Sequence, residues 1–293
     1  VSSLAILGCG YIGTRIARAA LAEGRTVRVC SRSTGRLAVL GDAGAQVKFL
    51  DASTPKTFTA ALSGMADATV VYSIPPVTTL PPRHAMGAAL QAAYGAGASC
   101  FIYFSSCGLY GDSPDNDAWV DEDTPVTPDA AMHNIESDEL EISASGFDRL
   151  RTVILRLAPV YGPGRGVRER MTKGQYSILE DGRHVTSRIH VDDLVRIVAA
   201  AEQHAPSKAV YLVGDDQPVT QGEYAAWLSQ RLGLAMPPSR QIVEPGKARV
   251  PHRNRRIRNA RLKQELHVEL RYPTFRQGEA AIEAEAGLTL AAP

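Results

Sequence analysis

The chain has 293 residues, 44% of them hydrophobic and 22% charged, a balance that fits one large α/β unit or a main domain with a smaller lobe and excludes disordered, collagen-like and coiled-coil classes. With 32 Lys and Arg against 31 Asp and Glu the net charge is +1, so no protein-wide field marks nucleic acid or anionic lipid as a partner. No apolar run reaches the roughly eighteen residues of a membrane helix and no charged segment opens the chain, so no membrane contact and a cytoplasmic location are expected.

Short β-branched runs alternate with Ala-rich stretches through the first half, which predicts strands over about 3–8, 26–30, 46–50, 68–73, 100–105 and 151–157 with helices between them. The first crossover runs from Tyr11 to Glu23, where Ile12, Ile16, Ala19 and Ala20 recur at helical spacing and Gly24 ends the run. Further helices are expected over about 55–63, 83–97 and 132–145, giving a doubly wound parallel sheet. Residues 112–128, DSPDNDAWVDEDTPVTP, are acidic and Pro-rich and predict a long loop. After APVYGPGRG the elements shorten, with helices near 191–203 and 220–232 and a strand near 209–213. The expected division is a dinucleotide-binding domain over 1–162, rejoined by about 186–213, and a smaller C-terminal lobe drawn mainly from 163–293. Cys9, Cys30, Cys100 and Cys107 show neither a CxxC pair nor zinc-type spacing to histidine, so core thiols and no metal are expected.

Leu4 to Gly13 reads as a strand entering G-x-G-x-x-G and then a helix, the context a Rossmann dinucleotide site requires. Gly8 permits the tight turn, Gly10 lets the backbone approach a diphosphate, and Gly13 lets helix pack on strand. The amides around Tyr11 and Ile12 supply the positive end of the helix. An NAD site places a carboxylate about twenty residues further on, yet no acid lies between Glu23 and Asp42. Ser31, Arg32 and Ser33 stand there instead, donors suited to a 2′-phosphate, so NADP is the expected cofactor in preference to NAD.

FIYFSSCGLYGD (101–112), RLAPVYGPGR (156–165), RIHVDDLVR (188–196), GDDQPVTQGEYAAWLSQRLG (214–233) and RRIRNARLKQEL (255–266) together resemble the extended short-chain dehydrogenase/reductases, in particular the atypical epimerase/dehydratase-like members. The resemblance implies that Asp51 and Ala52 hold the adenine and that Ser73, Ile74, Pro75 and Pro76 line the nicotinamide ribose. It implies further that Pro159 to Tyr161 lie beside the cofactor, that His190 and Asp192 brace the second lobe, and that Ser106 is the catalytic serine. Arg256 falls where relatives return a segment toward the cleft, and is the expected contact for an anionic substrate group or the closing lobe.

Two departures stand out. Leu7 occupies the position of the first family glycine, and the Tyr-x-x-x-Lys pair is missing, with Met132 near the tyrosine position and Glu136 near that of the lysine. Proton delivery then falls to Tyr110, Tyr161 or His133, unless an imine or iminium substrate arrives already protonated. The expected activity is an NADP(H)-dependent oxidoreductase acting on a small carbonyl, imine or sugar-like metabolite. A catalytically silent dinucleotide sensor and an epimerase or dehydratase with retained nucleotide are the alternatives, and a homodimer is allowed. The basic stretch Arg253, Arg255, Arg256, Arg258, Arg261 and Lys263 lacks interleaved aromatics, so it does not read as a nucleic-acid surface.

Overall fold

Leu4–Leu7 forms β1, four consecutive buried apolar residues, the pattern of a strand covered on both faces. β2 (Val27–Ser31), β3 (Gln46–Phe49), β4 (Thr69–Tyr72) and β5 (Cys100–Ser106) follow in the chain. Arg151–Leu157 pairs with β5 on its far side and Ala209–Val213 pairs with Arg151–Leu157, completing a seven-stranded sheet in which every pairing is parallel. The computed structural model describes residues 3–112, 118–241 and 254–287.

Register positions the site. Leu7 lies level with Cys30 on one side and Tyr72 on the other, so Gly8, Ser31 and Ser73 leave the sheet together at its carboxyl edge. The chain reverses direction across β1, reaching β2 and β3 on one side and β4 and β5 on the other, and such a switch point opens a crevice. Helix α1 (Tyr11–Ala22) packs Ile16, Ala17 and Ala20 on one face of the sheet with Leu194, Ile197 and Val198 of helix Val191–His204. Phe58, Leu62, Met86 and Leu90, from helices Lys56–Leu62 and His84–Gly95, cover the other face.

A separate apolar cluster gathers Met171, Tyr176, Tyr224, Leu228 and Phe275. Helix Gln221–Leu232 starts on a capping box between Thr220 and Glu223 and stops at left-handed Gly233, and helix Phe275–Glu285 starts on a second box between Thr274 and Gln277. Arg231 of the first helix ion-pairs with Glu283 of the second, and Arg168, on helix Val167–Thr172, reaches that second helix through Glu279 at 2.6 Å and Glu283 at 2.5 Å.

The described part of the acidic loop, residues 118–128, folds onto the basic stretch. Trp119–Val120 pairs with Arg256–Ile257, Arg255 Nε donates to the Gly111 carbonyl at 2.7 Å, Arg261 meets Asp123 at 2.6 Å and Lys263 meets Asp216 at 2.8 Å. These cations therefore neutralise the protein's own carboxylates and carbonyls; Arg253 and residues 113–117 lie outside the described residues. All four cysteines are buried and free, and burial pushes their thiols up to about 11 or 12. Among the described residues no helix is long and apolar enough to cross a membrane.

Candidate active site

Gly8 adopts φ +86°, and a Cβ there would lie 2.6 Å from Ile74 Cγ1 and 3.0 Å from the Ile74 amide. Only glycine lets the turn after β1 press against the exit of β4. A Cβ on Gly10 would meet nothing closer than 4.0 Å, so the space above it belongs to the crevice. A Cβ on Gly13 would strike Ile6 Cγ2 at 2.9 Å, which fits its expected place in helix–strand packing rather than in the cleft itself. No side chain caps α1 at Gly10, leaving the first amides of the helix open to an anion.

These elements enclose a cavity of about 930 Å³. Gly8, Gly10, Tyr11 and Ile12 form its floor; Ser31, Arg32 and Ser33 stand at one end with Asp51 and Ala52; and Ser73, Ile74 and Pro75 line the other wall. Arg36, from the short turn after Ser33, also faces this space. It escaped the sequence reading because nothing in TGRL marks which way a short helical turn will present its arginine. The Asp51 carboxylate accepts from the Ser53 amide at 3.0 Å and the Ser53 hydroxyl at 2.8 Å, and these bonds hold it below the usual carboxylate range. Twelve of the fourteen expected cofactor residues thus share one cleft, while Gly13 packs behind it and Pro159 lines a second cavity.

The expected proton-handling residues are more scattered. Ser106 ends β5 beside Leu157, and its Oγ accepts from the Gly108 amide at 2.9 Å. Met132 sits over the same turn: a Cβ on Gly108 would lie 2.6 Å from the Met132 sulfur and 3.0 Å from Ser106 Oγ. A thioether therefore packs beside the serine, near the position where the family carries its phenol. The Tyr110 oxygen accepts from Arg156 Nη1 at 2.6 Å, and burial pushes this phenol up to about 12. Arg156 in turn grips Glu139 through Nε at 3.0 Å and Nη2 at 2.6 Å. His133 opens helix His133–Ala144 and is exposed. Tyr161 is buried with its hydroxyl against Gly278, and burial raises its pKa well above the ordinary phenol range. Ser106, Tyr110 and His133 line neither of these two cavities, whereas Tyr161 lines the second.

That second cavity, of about 670 Å³, lies beside the turn Pro159–Val167 and helix Gln221–Leu232. Arg165 faces both cavities. Its guanidinium lies 5.2 Å from the centre of the Tyr11 ring, and the Tyr11 hydroxyl donates to the Pro163 carbonyl at 3.0 Å, so a fingerprint residue secures the turn that carries Arg165. A Cβ on Gly162 would stand 2.7 Å from that hydroxyl, which explains the glycine. Arg256 is half-buried and lines neither cavity. His190 caps helix Val191–His204 by accepting from the Asp192 amide at 3.2 Å, and burial pushes it down to about 4, so it is neutral.

Comparison with known proteins agrees with this geometry. In curated sequences, a 3-diazoavenalumate denitrifying reductase from a Streptomyces species is 29% identical over 164 residues, 52% of this chain and 52% of that protein; the match spans about half the length of the relative. In solved structures, a functionally unknown conserved protein from Silicibacter pomeroyi DSS shares 31% identity with a TM-score of 0.81, covering 97% of this chain and 99% of that one. A UDP-glucose 4-epimerase from Thermotoga maritima, with UDP-glucose, shares the fold at a TM-score of 0.81 but only 19% identity, with 99% of each chain covered. The model of the NAD dependent epimerase/dehydratase family matches residues 4–214. Since that span takes in the whole parallel sheet and the crevice at its carboxyl edge, the chain belongs to the NAD dependent epimerase/dehydratase family.

Proposed function

We propose that the protein is an NADP(H)-dependent reductase of a small acceptor, an imine or carbonyl compound. The observation that carries this is the end of the cofactor cleft, where Ser31, Arg32, Ser33 and Arg36 gather and the nearby carboxylate, Asp51, is already engaged by Ser53. Two guanidiniums and two hydroxyls suit a 2′-phosphate far better than a bare ribose diol. Gly8, Gly10 and the open amides of α1 hold the diphosphate, and the bound dinucleotide supplies the hydride. The Ser106 hydroxyl donates a hydrogen bond to a carbonyl oxygen, or accepts one from a protonated imine, but is too weak an acid to give up a proton, and Tyr110 is tied to Arg156. A protonated imine needs no enzymic acid, which makes it the acceptor best matched to a site with Met132 in place of a phenol. The partial likeness to a reductase supports the same reaction class.

Fluorescence titration should show NADPH binding at least tenfold more tightly than NADH, about 1.4 kcal/mol, within reach of one charge-assisted contact. Arg32→Ala should remove most of that preference and leave NADH affinity nearly unchanged. Equal dissociation constants in the wild type would defeat the proposal.

With a carbonyl and imine panel in hand, Ser106→Ala should lower kcat on carbonyl acceptors by about 10²-fold, the scale of losing one donor to a developing anion, and should cost less on imines, where no anion develops. His133→Ala, altering an exposed side chain, should stay within about twofold. The reverse order would move the chemistry to His133. A second reading, a dinucleotide sensor without turnover, also draws on the missing phenol and ammonium, and tight NADPH binding with no turnover across the panel would favour it.

A further inference from the structure

Building on the reductase reading, we infer that the second cavity takes a small, flat, hydroxyl-poor carboxylate whose acid group is anchored on Arg188. Five cationic side chains, Arg165, Arg170, Lys173, Arg188 and Arg240, line this space against one described carboxylate, Glu169, which already pairs with Lys173 at 3.3 Å. Four of the cations stand toward solvent at the rim. Arg188 is different: it is 4% exposed, its Nη2 donates to Thr186 Oγ1 at 2.6 Å, and its Nη1 has no hydrogen-bond partner among the described residues. A buried guanidinium with an open edge is costly unless an anion or ordered water completes it. The group is held in place by aromatic rings, 4.0 Å from the centre of Tyr224 and 5.4 Å from that of Phe275, so the unpartnered Nη1, itself closed to solvent, keeps a fixed position in the cavity wall.

The neighbouring acids do not cancel it. Glu279 is taken by Arg168 at 2.6 Å and by the Tyr224 hydroxyl. Asp215, whose amide donates to the Arg188 carbonyl at 2.6 Å, is fully buried, and burial pushes its carboxyl up to about 8, so at neutral pH it is mostly uncharged.

The walls define the rest of the ligand. Tyr161, Tyr176, Tyr224, Val160, Val167 and Leu179 offer flat apolar surface. Sugar hydroxyls need free acceptors, and three of the acceptor side chains here are already engaged. Gln221 receives the Leu179 amide at 2.8 Å and donates to the Tyr176 hydroxyl at 2.9 Å; Ser187 receives the Ile257 amide at 3.0 Å; and Glu169 is ion-paired. A polyhydroxyl ligand would meet few free acceptors and mostly cations and rings, whereas a planar acid is matched to both. Arg165, facing both cavities, sets the far end of such a ligand next to the cofactor cleft.

Isothermal titration of the full chain, saturated with NADP⁺, with trans-cinnamate, its neutral amide cinnamide and UDP-glucose tests this. Cinnamate should bind, cinnamide and UDP-glucose at least tenfold more weakly. Arg188→Met, which keeps the stem on the rings, should weaken cinnamate at least tenfold while leaving the NADPH dissociation constant unchanged. Should that variant fail to fold, Arg170→Ala with Arg240→Ala, both exposed, should weaken cinnamate at least threefold. UDP-glucose binding more tightly than cinnamate, or cinnamate affinity indifferent to these substitutions, overturns the inference. NADPH binding normally with no cinnamate binding sinks this inference alone, whereas failure of NADPH to bind sinks the reductase reading beneath it.

Discussion

Replacing Glu139 with alanine is expected to lower the unfolding free energy by about 3–5 kcal/mol, the range for removing one partner of a buried ion pair. Glu139 is buried on helix His133–Ala144 and receives Arg156 through two nitrogens, at 3.0 and 2.6 Å, as well as the Ser105 hydroxyl. Without it the Arg156 charge stays inside the protein with Tyr110 as its remaining described side-chain partner, at 2.6 Å. The desolvation cost that the carboxylate offset is then exposed in full. A double substitution, Glu139→Leu with Arg156→Met, removes both charges and should recover most of the loss, because the pair itself contributes little beyond cancelling its own burial. Urea unfolding of the two variants checks the claim. A loss under about 1 kcal/mol for Glu139→Ala would mean that the arginine reaches solvent or another acceptor.

Gly8→Ala is expected to weaken NADPH binding on the order of 100-fold, about 2.7 kcal/mol, and to destabilise the fold by about 1–2 kcal/mol. The second figure is the strain of an L-residue held in a left-handed conformation, here φ +86°. The larger effect on binding follows from where the new methyl would go: 2.6 Å from Ile74 Cγ1 and 3.0 Å from the Ile74 amide, so the wall of the cleft after β4 must move. Gly146→Ala, at a position with open space and no left-handed backbone, is the control and should leave both quantities unchanged. If Gly8→Ala bound NADPH as the wild type does, the turn after β1 would not be part of the cofactor site.

The strands, their flanking helices and the dinucleotide cleft were legible in the chain itself, and for a physical reason. A strand covered on both faces needs consecutive apolar residues, and Leu4 to Leu7 supply them; a helix against it needs a 3.6-residue repeat, and Ile12, Ile16 and Ala20 supply that. The fingerprint glycines, Ser31 and Arg32 then follow elements whose carboxyl ends are level by parallel register, so residues far apart in number meet in one crevice without further information. Tertiary structure decided what depends on pairs. Tyr110 looked like a free phenol four residues beyond Ser106 until Arg156, 46 positions away, was seen to hold its oxygen. His133 looked placed for proton transfer until the helix start turned it outward. Arg165, Arg188 and Arg36 were three arginines among many, and their standing came from what surrounds them: a tyrosine ring, a buried wall, a shared cavity. Backbone pattern is written locally, because strand and helix geometry repeat over a few residues, whereas the charge state and availability of a side chain are set by neighbours that only the packed chain brings within reach.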